Sequence, residues 1–212
     1  MNTTLTLTRL LKSHIILLFF GIFSTWAAIA QEPAADQITL PPLVIGNVDS
    51  NVHIVEFISY TCPHCANFHN GPYGNLKQDY IDTNKIKFEI REMIWDAPGW
   101  IVSVVGRCGN AENYFSFVDL VFAKQQEWTR LETQGDVAQR IKSMAVSVGY
   151  DGNEIDECFQ DKDYQESLVM HSRAQAQELG ITSTPSFVVN GRHLKSFKGY
   201  DDLVTAIEAQ LN

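Results

Sequence analysis

The pattern of hydrophobic positions in the first half of the chain predicts strands separated by a helix. Two runs rich in β-branched and aromatic residues, Val52 to Ser59 and Lys85 to Ile94, predict buried strands, and a shorter strand is expected at Leu43 to Ile45. From the end of the first long run to about Ile81 the spacing is helical, with a break at Gly71-Pro72. Strand, helix and strand in this order predict a right-handed parallel βαβ unit.

The hydrophobic spacing is helical throughout residues 97–179. Gly180 follows this stretch at the position where a helix C-cap is expected. Two short β-rich runs come next, and the Asn190-Gly191 pair between them is a strong hairpin signal. Residues Tyr200 to Leu211 have the pattern of a closing amphipathic helix. The order is therefore βαβ, a helical insertion and ββα, which predicts an α/β fold.

The first 30 residues have the pattern of a secretory signal peptide. Arg9 and Lys12 precede an apolar core, and Ala28-Ile29-Ala30 has small residues where a cleavage site requires them. An uncleaved anchor is the alternative, although the apolar stretch from Ile15 to Ala30 is short of the roughly 20 residues that cross a bilayer. Residues 1–30 are therefore predicted to be a cleaved signal peptide.

The charge balance of the chain is acidic. The formal net charge is −9, and loss of residues 1–30, which contain two basic and no acidic residues, changes it to −9 − 2 = −11. An acidic balance favours solubility and argues against nucleic acid or an anionic membrane as a partner. A mature chain of this length can bury a large core in one domain, with or without an insertion.

The four cysteines are unevenly spaced. Cys62 and Cys65 are separated by two residues and directly follow the first long predicted strand, whereas Cys108 and Cys158 stand far apart. A close pair binds a metal, staples the fold or exchanges disulfides with other proteins. A bond between Cys108 and Cys158 would close a loop of about 50 residues and stabilise the fold by roughly 4 kcal/mol. We predict this structural disulfide, with two buried free thiols as the alternative.

Metal binding is the competing class of function, because CxxC is half of a zinc site. The sequence has no second CxxC pair and no HxxxH pair, although three single histidines could be recruited in space: His53, His69 and His193. Single histidines are more often surface residues or satisfied members of a core. No metal and no cofactor are therefore predicted, and the zinc content after purification under reducing conditions would discriminate the two classes.

Four segments carry a resemblance to a known family, in the expected order along nearly the whole mature chain. They are EFISYTCPHC (Glu56 to Cys65), YIDTNKIKFEIRE (Tyr80 to Glu92), RCGNAENYFSFVDLVF (Arg107 to Phe122) and ELGITSTPSFVVNGR (Glu178 to Arg192). The chain resembles DsbA-type thiol:disulfide oxidoreductases, which many bacteria export to the periplasm. The resemblance implies a thioredoxin-like fold, formed by residues 31–96 and 180–212, with an inserted all-helical domain at residues 97–179.

The predicted position of Cys62 favours the thiolate, which is the nucleophile in disulfide exchange. A cysteine at a helix N-terminus faces unpaired backbone N–H groups and the positive end of the helix dipole. Pro63 fits the first helical turn, where its missing N–H costs nothing. His64 is a candidate to stabilise the anion, either as a cation or as an N–H donor. The alternative for His64 is a solvated loop histidine.

The size of this stabilisation decides the direction of the reaction. If the pKa of Cys62 falls from about 8.5 to about 4, the dithiol form gains roughly 4 kcal/mol at pH 7, which raises the reduction potential by roughly 90 mV. A pKa of about 7 would contribute less than about 0.5 kcal/mol and leave a reductant. Because the Pro63-His64 dipeptide resembles that of the oxidases, we expect an oxidant.

The resemblance assigns further roles near the pair. Cys65 is the expected buried resolving thiol. Glu56 stands on the preceding strand, where this family carries a buried acid that can move a proton to or from Cys65. Strand alternation leaves a solvent-facing or edge glutamate as the alternative for Glu56.

A second active-site element is expected at Thr184-Pro185. Only about 5% of X-Pro bonds are cis, but thioredoxin folds pack a cis-proline loop against the CxxC pair, so the resemblance implies a cis bond here. Thr184 would then expose backbone groups that pair with an extended client segment. The best-known oxidase of the family has valine before this proline, and Thr184 therefore leaves substrate preference and redox tuning open.

The predicted activity is a periplasmic dithiol oxidase that passes a disulfide to reduced, unfolded exported proteins. A disulfide isomerase or a reductase of the same fold is the alternative. Isomerases of this fold usually carry an N-terminal dimerisation domain, and residues 31–51 leave no room for one before the first long strand. We therefore expect a monomer. By analogy with the family, a quinone-linked, DsbB-like membrane protein would reoxidise it.

Overall fold

Five strands form one central sheet. The structure is a computed structural model and describes residues 40–108 and 111–211. The strands are β1 (Leu43–Gly46), β2 (His53–Ile58), β3 (Lys87–Glu92), β4 (Ser186–Val189) and β5 (Arg192–His193). Their spatial order is β1-β3-β2-β4-β5. Strands β2 and β3 are parallel, and the other neighbouring pairs are antiparallel. The predicted βαβ unit is therefore confirmed in its parallel pairing.

Helices occupy the segments between the strands. They are α1 (Pro63–His69), α2 (Pro72–Leu76), α3 (Ala97–Cys108), α4 (Ala111–Ala123), α5 (Gln125–Trp128), α6 (Gln134–Ser147), α7 (Gly152–Cys158), α8 (Lys162–Leu179) and α9 (Tyr200–Leu211). A short π-helix, Lys77–Ile81, continues α2. The break between α1 and α2 falls at the predicted position, because Pro72 has no N–H for the bonding of a continuing helix but fits the first position of a new one.

Both faces of β2 are buried, so this central strand separates two groups of core side chains. Ile54 and Ile58 belong to a large core shared with α1–α7 and α9. Val55 and Phe57 belong to a smaller cluster that includes Ala176 from α8. Because side chains alternate along a strand, Glu56 points to the same side as Ile54 and Ile58. An acidic side chain therefore lies on the face of the larger core.

Two turns have the backbone conformations that the sequence predicts. Gly180 follows α8 with φ +63°, the left-handed conformation of a glycine C-cap. Asn190 and Gly191 both have positive φ, +46° and +78°, and join β4 to β5. This is the combination required by a tight two-residue hairpin.

The predicted signal peptide, residues 1–30, lies outside the described residues. The division into a thioredoxin-like domain and an inserted domain at residues 97–179 stays a prediction, although α3 to α8 do lie between β3 and β4 along the chain. Within residues 40–108 and 111–211, no helix is both long and apolar enough to span a membrane.

Candidate active site

The cysteine pair lies where β2 ends and α1 begins. Cys62 is the N-cap residue of α1, and Pro63 is its first helical residue. The backbone N–H of Cys62 donates to the carbonyl of Ser59 at 3.1 Å, and the Cys62 carbonyl accepts the N–H of Ala66 at 3.2 Å. The Cys62 side chain is therefore held at the positive end of the α1 backbone dipoles.

The surroundings of Cys62 favour its thiolate. A hydrogen bond from the Cys65 thiol lowers the pKa of Cys62 most, and the side chain of Thr184 and the backbone N–H groups of Cys65 and His64 lower it further. Partial burial of the sulfur opposes these effects, and the resulting pKa is about 5. At neutral pH the exposed member of the pair is therefore an anion and a ready nucleophile.

Cys65 has the opposite environment. It is completely buried, and burial raises the pKa of its thiol far above the ordinary value, with further contributions from the hydrogen bond to Cys62 and from the charge of Glu56. Cys65 is consequently a neutral thiol that donates to the Cys62 sulfur. Two thiols within one helical turn thus have pKa values displaced in opposite directions.

Glu56 lies in the interior of the protein rather than at a solvent-facing edge. The side chain is 0% exposed, and its Oε2 lies 3.1 Å from Nε2 of the equally buried His69. No donor among the described residues reaches the other oxygen, Oε1. The His69 ring stacks on Phe122 with 4.4 Å between the ring centroids. A buried carboxyl–imidazole pair therefore lies close enough to Cys65 to act on it electrostatically.

His69 was not among the site residues predicted from the sequence. The available signal is its spacing of four residues from Cys65, which places both side chains on one face of α1. Spacing alone does not identify the partner, because Glu56 comes from a strand 13 residues earlier. The side chain of His64, in contrast, is exposed, and its backbone N–H is the group that contributes to the low pKa of Cys62.

The Thr184-Pro185 peptide bond is cis, and its loop lies against the cysteine pair. Sγ of Cys62 lies 3.4 Å from the carbonyl oxygen of Thr184, which accepts a hydrogen bond from the thiol when Cys62 is protonated. An open groove of about 430 Å³ begins at this loop, and its lining includes His64, Phe68, Pro72, Pro185, Phe197 and Tyr200. The structure therefore brings the predicted residues Cys62, His64, Thr184 and Pro185 together at one end of a partly aromatic groove.

Cys108 and Cys158 are joined by a disulfide with 6.1 Å between their Cα atoms. The bond links the end of α3 to the end of α7. Cys62 and Cys65 are free thiols. In the described residues, no group of three or more histidine, cysteine, aspartate or glutamate side chains is arranged to hold a metal ion.

A buried polar network connects the residue before the active-site loop to the helices. The hydroxyl of Tyr60 donates to Glu92 at 2.8 Å and lies 2.7 Å from the hydroxyl of Tyr114. Arg107 donates to the second oxygen of Glu92. These residues could not be predicted from the sequence, because tyrosine, glutamate and arginine residues at long separations carry no periodic signal. Their contacts hold the hydroxyl group of Tyr60, the residue two positions before Cys62.

Comparisons with known proteins agree with this geometry. A family model described as thioredoxin matches residues 39–209. This chain belongs to the thioredoxin family. The oxidised form of BdbD from Bacillus subtilis has a similar structure, with a TM-score of 0.70 at 24% identity, over 80% of this chain and 92% of BdbD. Wolbachia pipientis alpha-DsbA1 gives a TM-score of 0.71 at 22% identity, over 82% and 92% of the two chains.

Among the curated relatives, a protein of Rickettsia bellii (strain RML369-C), provisionally named a protein-disulfide oxidoreductase, is 32% identical over 160 residues, which is 73% of this chain. The chain spans about three-fifths of the length of the Rickettsia relatives it matches. These findings confirm the DsbA-like resemblance and the thioredoxin-like fold with a helical insertion.

Proposed function

We propose that this member of the thioredoxin family is a thiol:disulfide oxidoreductase that introduces disulfide bonds into exported proteins through Cys62 and Cys65. The opposite displacement of the two cysteine pKa values carries the proposal. A stabilised Cys62 thiolate makes the reduced pair favourable and the oxidised pair a good disulfide donor. The names of the Rickettsia relatives support the same class of reaction.

The first step consumes the Cys62–Cys65 disulfide. A client thiolate attacks Sγ of Cys62, the bond between the two enzyme sulfurs breaks, and Cys65 leaves with the electron pair. A mixed disulfide now joins Cys62 to the client. Attack occurs at Cys62 because its sulfur is partly exposed, whereas Cys65 is completely buried.

The second step releases the oxidised client. A second client thiolate attacks the client sulfur of the mixed disulfide, and Cys62 leaves as a thiolate. A thiol of low pKa is a good leaving group, so the pKa of about 5 favours this step. The client has lost two electrons, and the enzyme holds them as the Cys62–Cys65 dithiol.

Glu56 is proposed to manage the proton of Cys65. Cys65 leaves as a thiolate in a buried site where burial strongly disfavours its charge. The Glu56 carboxyl, paired with His69, is the buried acid–base group next to it, and proton transfer from this pair neutralises the leaving sulfur. When the enzyme is reoxidised, the proton returns in the opposite direction.

The cis-proline loop is proposed to hold the client. The backbone of Thr184 lies within hydrogen-bond distance of the Cys62 sulfur, so an extended client segment that pairs with it places a cysteine against Cys62. The groove next to Pro185 has the aromatic side chains of Phe68, Phe197 and Tyr200 on its walls. These surfaces suit unfolded segments with exposed apolar residues.

The site of action is proposed to be the periplasm, with residues 1–30 removed as a signal peptide and the mature protein a monomer. Disulfides persist in exported compartments, which agrees with the Cys108–Cys158 bond. A quinone-linked, DsbB-like membrane protein would accept the two electrons and restore the Cys62–Cys65 disulfide. Support for this partner comes from the family resemblance alone.

Isomerase activity is the second candidate, and Thr184 favours it. The backbone carbonyl of this residue lies near the Cys62 sulfur. A threonine at this position resembles isomerases and other branches of the family, whereas the best-known oxidase has valine. A solved structure of the same fold is named a protein-disulfide isomerase from Novosphingobium aromaticivorans, with a TM-score of 0.70 at 23% identity.

One experiment separates the two activities. The oxidised protein is incubated with a reduced, unfolded client and, separately, with the same client carrying scrambled disulfides. We expect fast formation of disulfides in the reduced client and little rescue of the scrambled client. Efficient unscrambling with poor oxidation would overturn the oxidase proposal in favour of isomerisation.

Two single variants test the assigned roles of the cysteines in the same assay. Cys62→Ser is expected to abolish oxidation without accumulating a mixed disulfide. Cys65→Ser cannot form the enzyme disulfide, so it is expected not to oxidise the reduced client. Its Cys62 thiolate can still attack a disulfide of the scrambled client, and a client joined to Cys62 is then expected to accumulate, visible by mass spectrometry. Client oxidation that survives Cys62→Ser would contradict the proposal.

A further inference from the structure

Gln125 of α5 connects the helices between β3 and β4 directly to the main chain of the cysteine loop. Its Nε2 donates to the carbonyl of Tyr60 at 2.7 Å and to the carbonyl of Cys62 at 2.9 Å. A primary amide has two N–H groups, so both donors of this side chain are used on these two carbonyls. One buried amide therefore fixes the separation of the carbonyls on either side of Thr61.

The Gln125 side chain is itself firmly positioned. The residue is only 6% exposed. Its own backbone carbonyl accepts the N–H of Thr129 at 3.0 Å and the Thr129 hydroxyl at 2.7 Å. Trp128, in the same short helix, is completely buried and donates to the carbonyl of Val121 at 2.9 Å. The amide consequently has little freedom to leave the two carbonyls.

The side chains on either side of this main chain are held by contacts of their own. The Tyr60 hydroxyl is bound by Glu92, and the Thr61 hydroxyl donates to Asp96 at 2.5 Å. The carbonyl of Cys62 receives Gln125 and the N–H of Ala66. Gln125 thus acts on the peptide group that joins Cys62 to Pro63, at the start of α1.

We infer that Gln125 is a positioning residue that keeps the main chain at Cys62 in the orientation needed for disulfide exchange, an inference that rests on the proposed function of this site. The backbone N–H groups of His64 and Cys65 act on the Cys62 sulfur, and this interaction requires the Cys62 peptide to keep its angle to α1. Without the amide, the buried carbonyl of Tyr60 and the partly buried carbonyl of Cys62 each lose a donor, and we expect the Cys62 peptide to rotate towards another partner. Rotation carries the sulfur away from the first turn of the helix.

The test substitutes Gln125 by methionine, which has a similar volume and no N–H donor. We expect the midpoint of the Cys62 thiolate titration, followed by ultraviolet absorbance, to rise from about 5 by about one pH unit, which corresponds to a reduction potential about 30 mV lower. The neighbouring Gln126→Met is the matched control, because Gln126 is exposed and bonds to Arg130 instead.

A second control separates positioning from stability. Thr133→Ala removes the side chain that caps α6, so it lowers thermal stability without touching the cysteine loop. It is expected to leave the titration of Cys62 unchanged. A Cys62 titration midpoint that is unchanged in Gln125→Met would show that Gln125 has no positioning role. An equal shift of the midpoint in Gln126→Met or Thr133→Ala would show the same.

A measurement on the unaltered protein covers the case in which Gln125→Met does not fold. The side-chain amide resonances of Gln125 in nitrogen-edited NMR spectra are expected to shift with the same midpoint as the Cys62 thiolate, while those of Gln126 stay constant. Gln125 amide resonances that do not shift as Cys62 titrates would contradict the inference. Neither measurement uses a client. A protein that gives these shifts but fails to oxidise clients would therefore contradict the proposed function and still support the positioning role of Gln125.

Discussion

At the scale of single residues, the chemistry depends on a difference between two identical side chains. Cys62 faces backbone N–H groups and water, whereas Cys65 belongs to the hydrophobic core and lies near the Glu56 carboxyl group. The same burial that makes a Cys65 thiolate costly leaves its thiol free to donate to Cys62. The acidity of one cysteine and the weak acidity of the other therefore have a common structural origin.

The low pKa of Cys62 predicts a pH-dependent stability of the reduced protein. The pKa is near 5 in the folded state and about 8.5 in the unfolded chain, so the stabilisation is complete above about pH 8.5, decreases as the pH falls and is lost below about 5. At pH 7 it is at most about 3 kcal/mol, and less because water screens the partly exposed sulfur. The Tm of the reduced form minus the Tm of the oxidised form should therefore decrease from pH 7 to pH 4.

The oxidised form is the internal control for this measurement, since it lacks the Cys62 and Cys65 thiols but shares every other titrating group with the reduced form. Burial raises the pKa of Cys65, so its thiol stays protonated from pH 7 to pH 4 and does not contribute to the change. A difference in Tm that stays constant over the same range would contradict a pKa near 5 for Cys62.

Glu56→Gln is expected to slow client oxidation by about tenfold or more, because the amide cannot supply the proton that the leaving Cys65 sulfur needs. The measurement is the rate of client oxidation by stopped-flow fluorescence. Glu89→Gln is a suitable control: Glu89 is also largely buried on the sheet, but it pairs with Arg91 and His53. Equal rates for the two variants would remove Glu56 from the mechanism.

Residues that act through their local position were predictable from the sequence, whereas residues that act across the fold were not. Cys62, Pro63 and Cys65 follow from a motif at a strand–helix junction. His69 and Gln125 were missed, because their partners lie 13 and 63 residues away along the chain. A glutamine on a short helix looks like a surface residue until the fold shows the carbonyls that it reaches.

At the scale of elements, the boundaries were predictable where one residue determines the backbone. Pro72 ends the continuity of α1 and begins α2, and Asn190-Gly191 forms the hairpin between β4 and β5. The π-helix Lys77–Ile81 was not predicted. Its hydrophobic spacing over five residues does not differ enough from that of an α-helix to be recognised.

Gly180→Ala is expected to destabilise the protein by about 1 kcal/mol, because alanine pays a steric cost at φ +63°. The free energy of unfolding in urea measures the effect. Gly199→Ala is the matched control, since Gly199 has no positive φ and a Cβ there meets no atom within 4 Å. A loss of stability in Gly199→Ala as large as that in Gly180→Ala would show that the left-handed C-cap is not the cause.

At the scale of the whole molecule, one disulfide joins two helices, α3 and α7, that are far apart in the sequence. Replacing both Cys108 and Cys158 by alanine is expected to lower the free energy of unfolding by roughly 4 kcal/mol, since the bond closes a loop across a separation of 50 residues. Denaturation in urea measures this loss. The titration of Cys62 should be unaffected, because neither residue contributes to its pKa; a shifted midpoint would contradict that separation of roles.

The bond between α3 and α7 also affects how the protein matures. Each newly made copy has to acquire one disulfide of the kind that mature copies are proposed to donate. A newly made chain is therefore itself a client of the mature protein. Production of mature protein is then self-accelerating. In a test tube that contains a small-molecule disulfide as the oxidant, reduced chains should gain the Cys108–Cys158 link after a lag. A trace of finished protein, reoxidised by that compound, should shorten the lag, whereas a trace carrying Cys62→Ser should not.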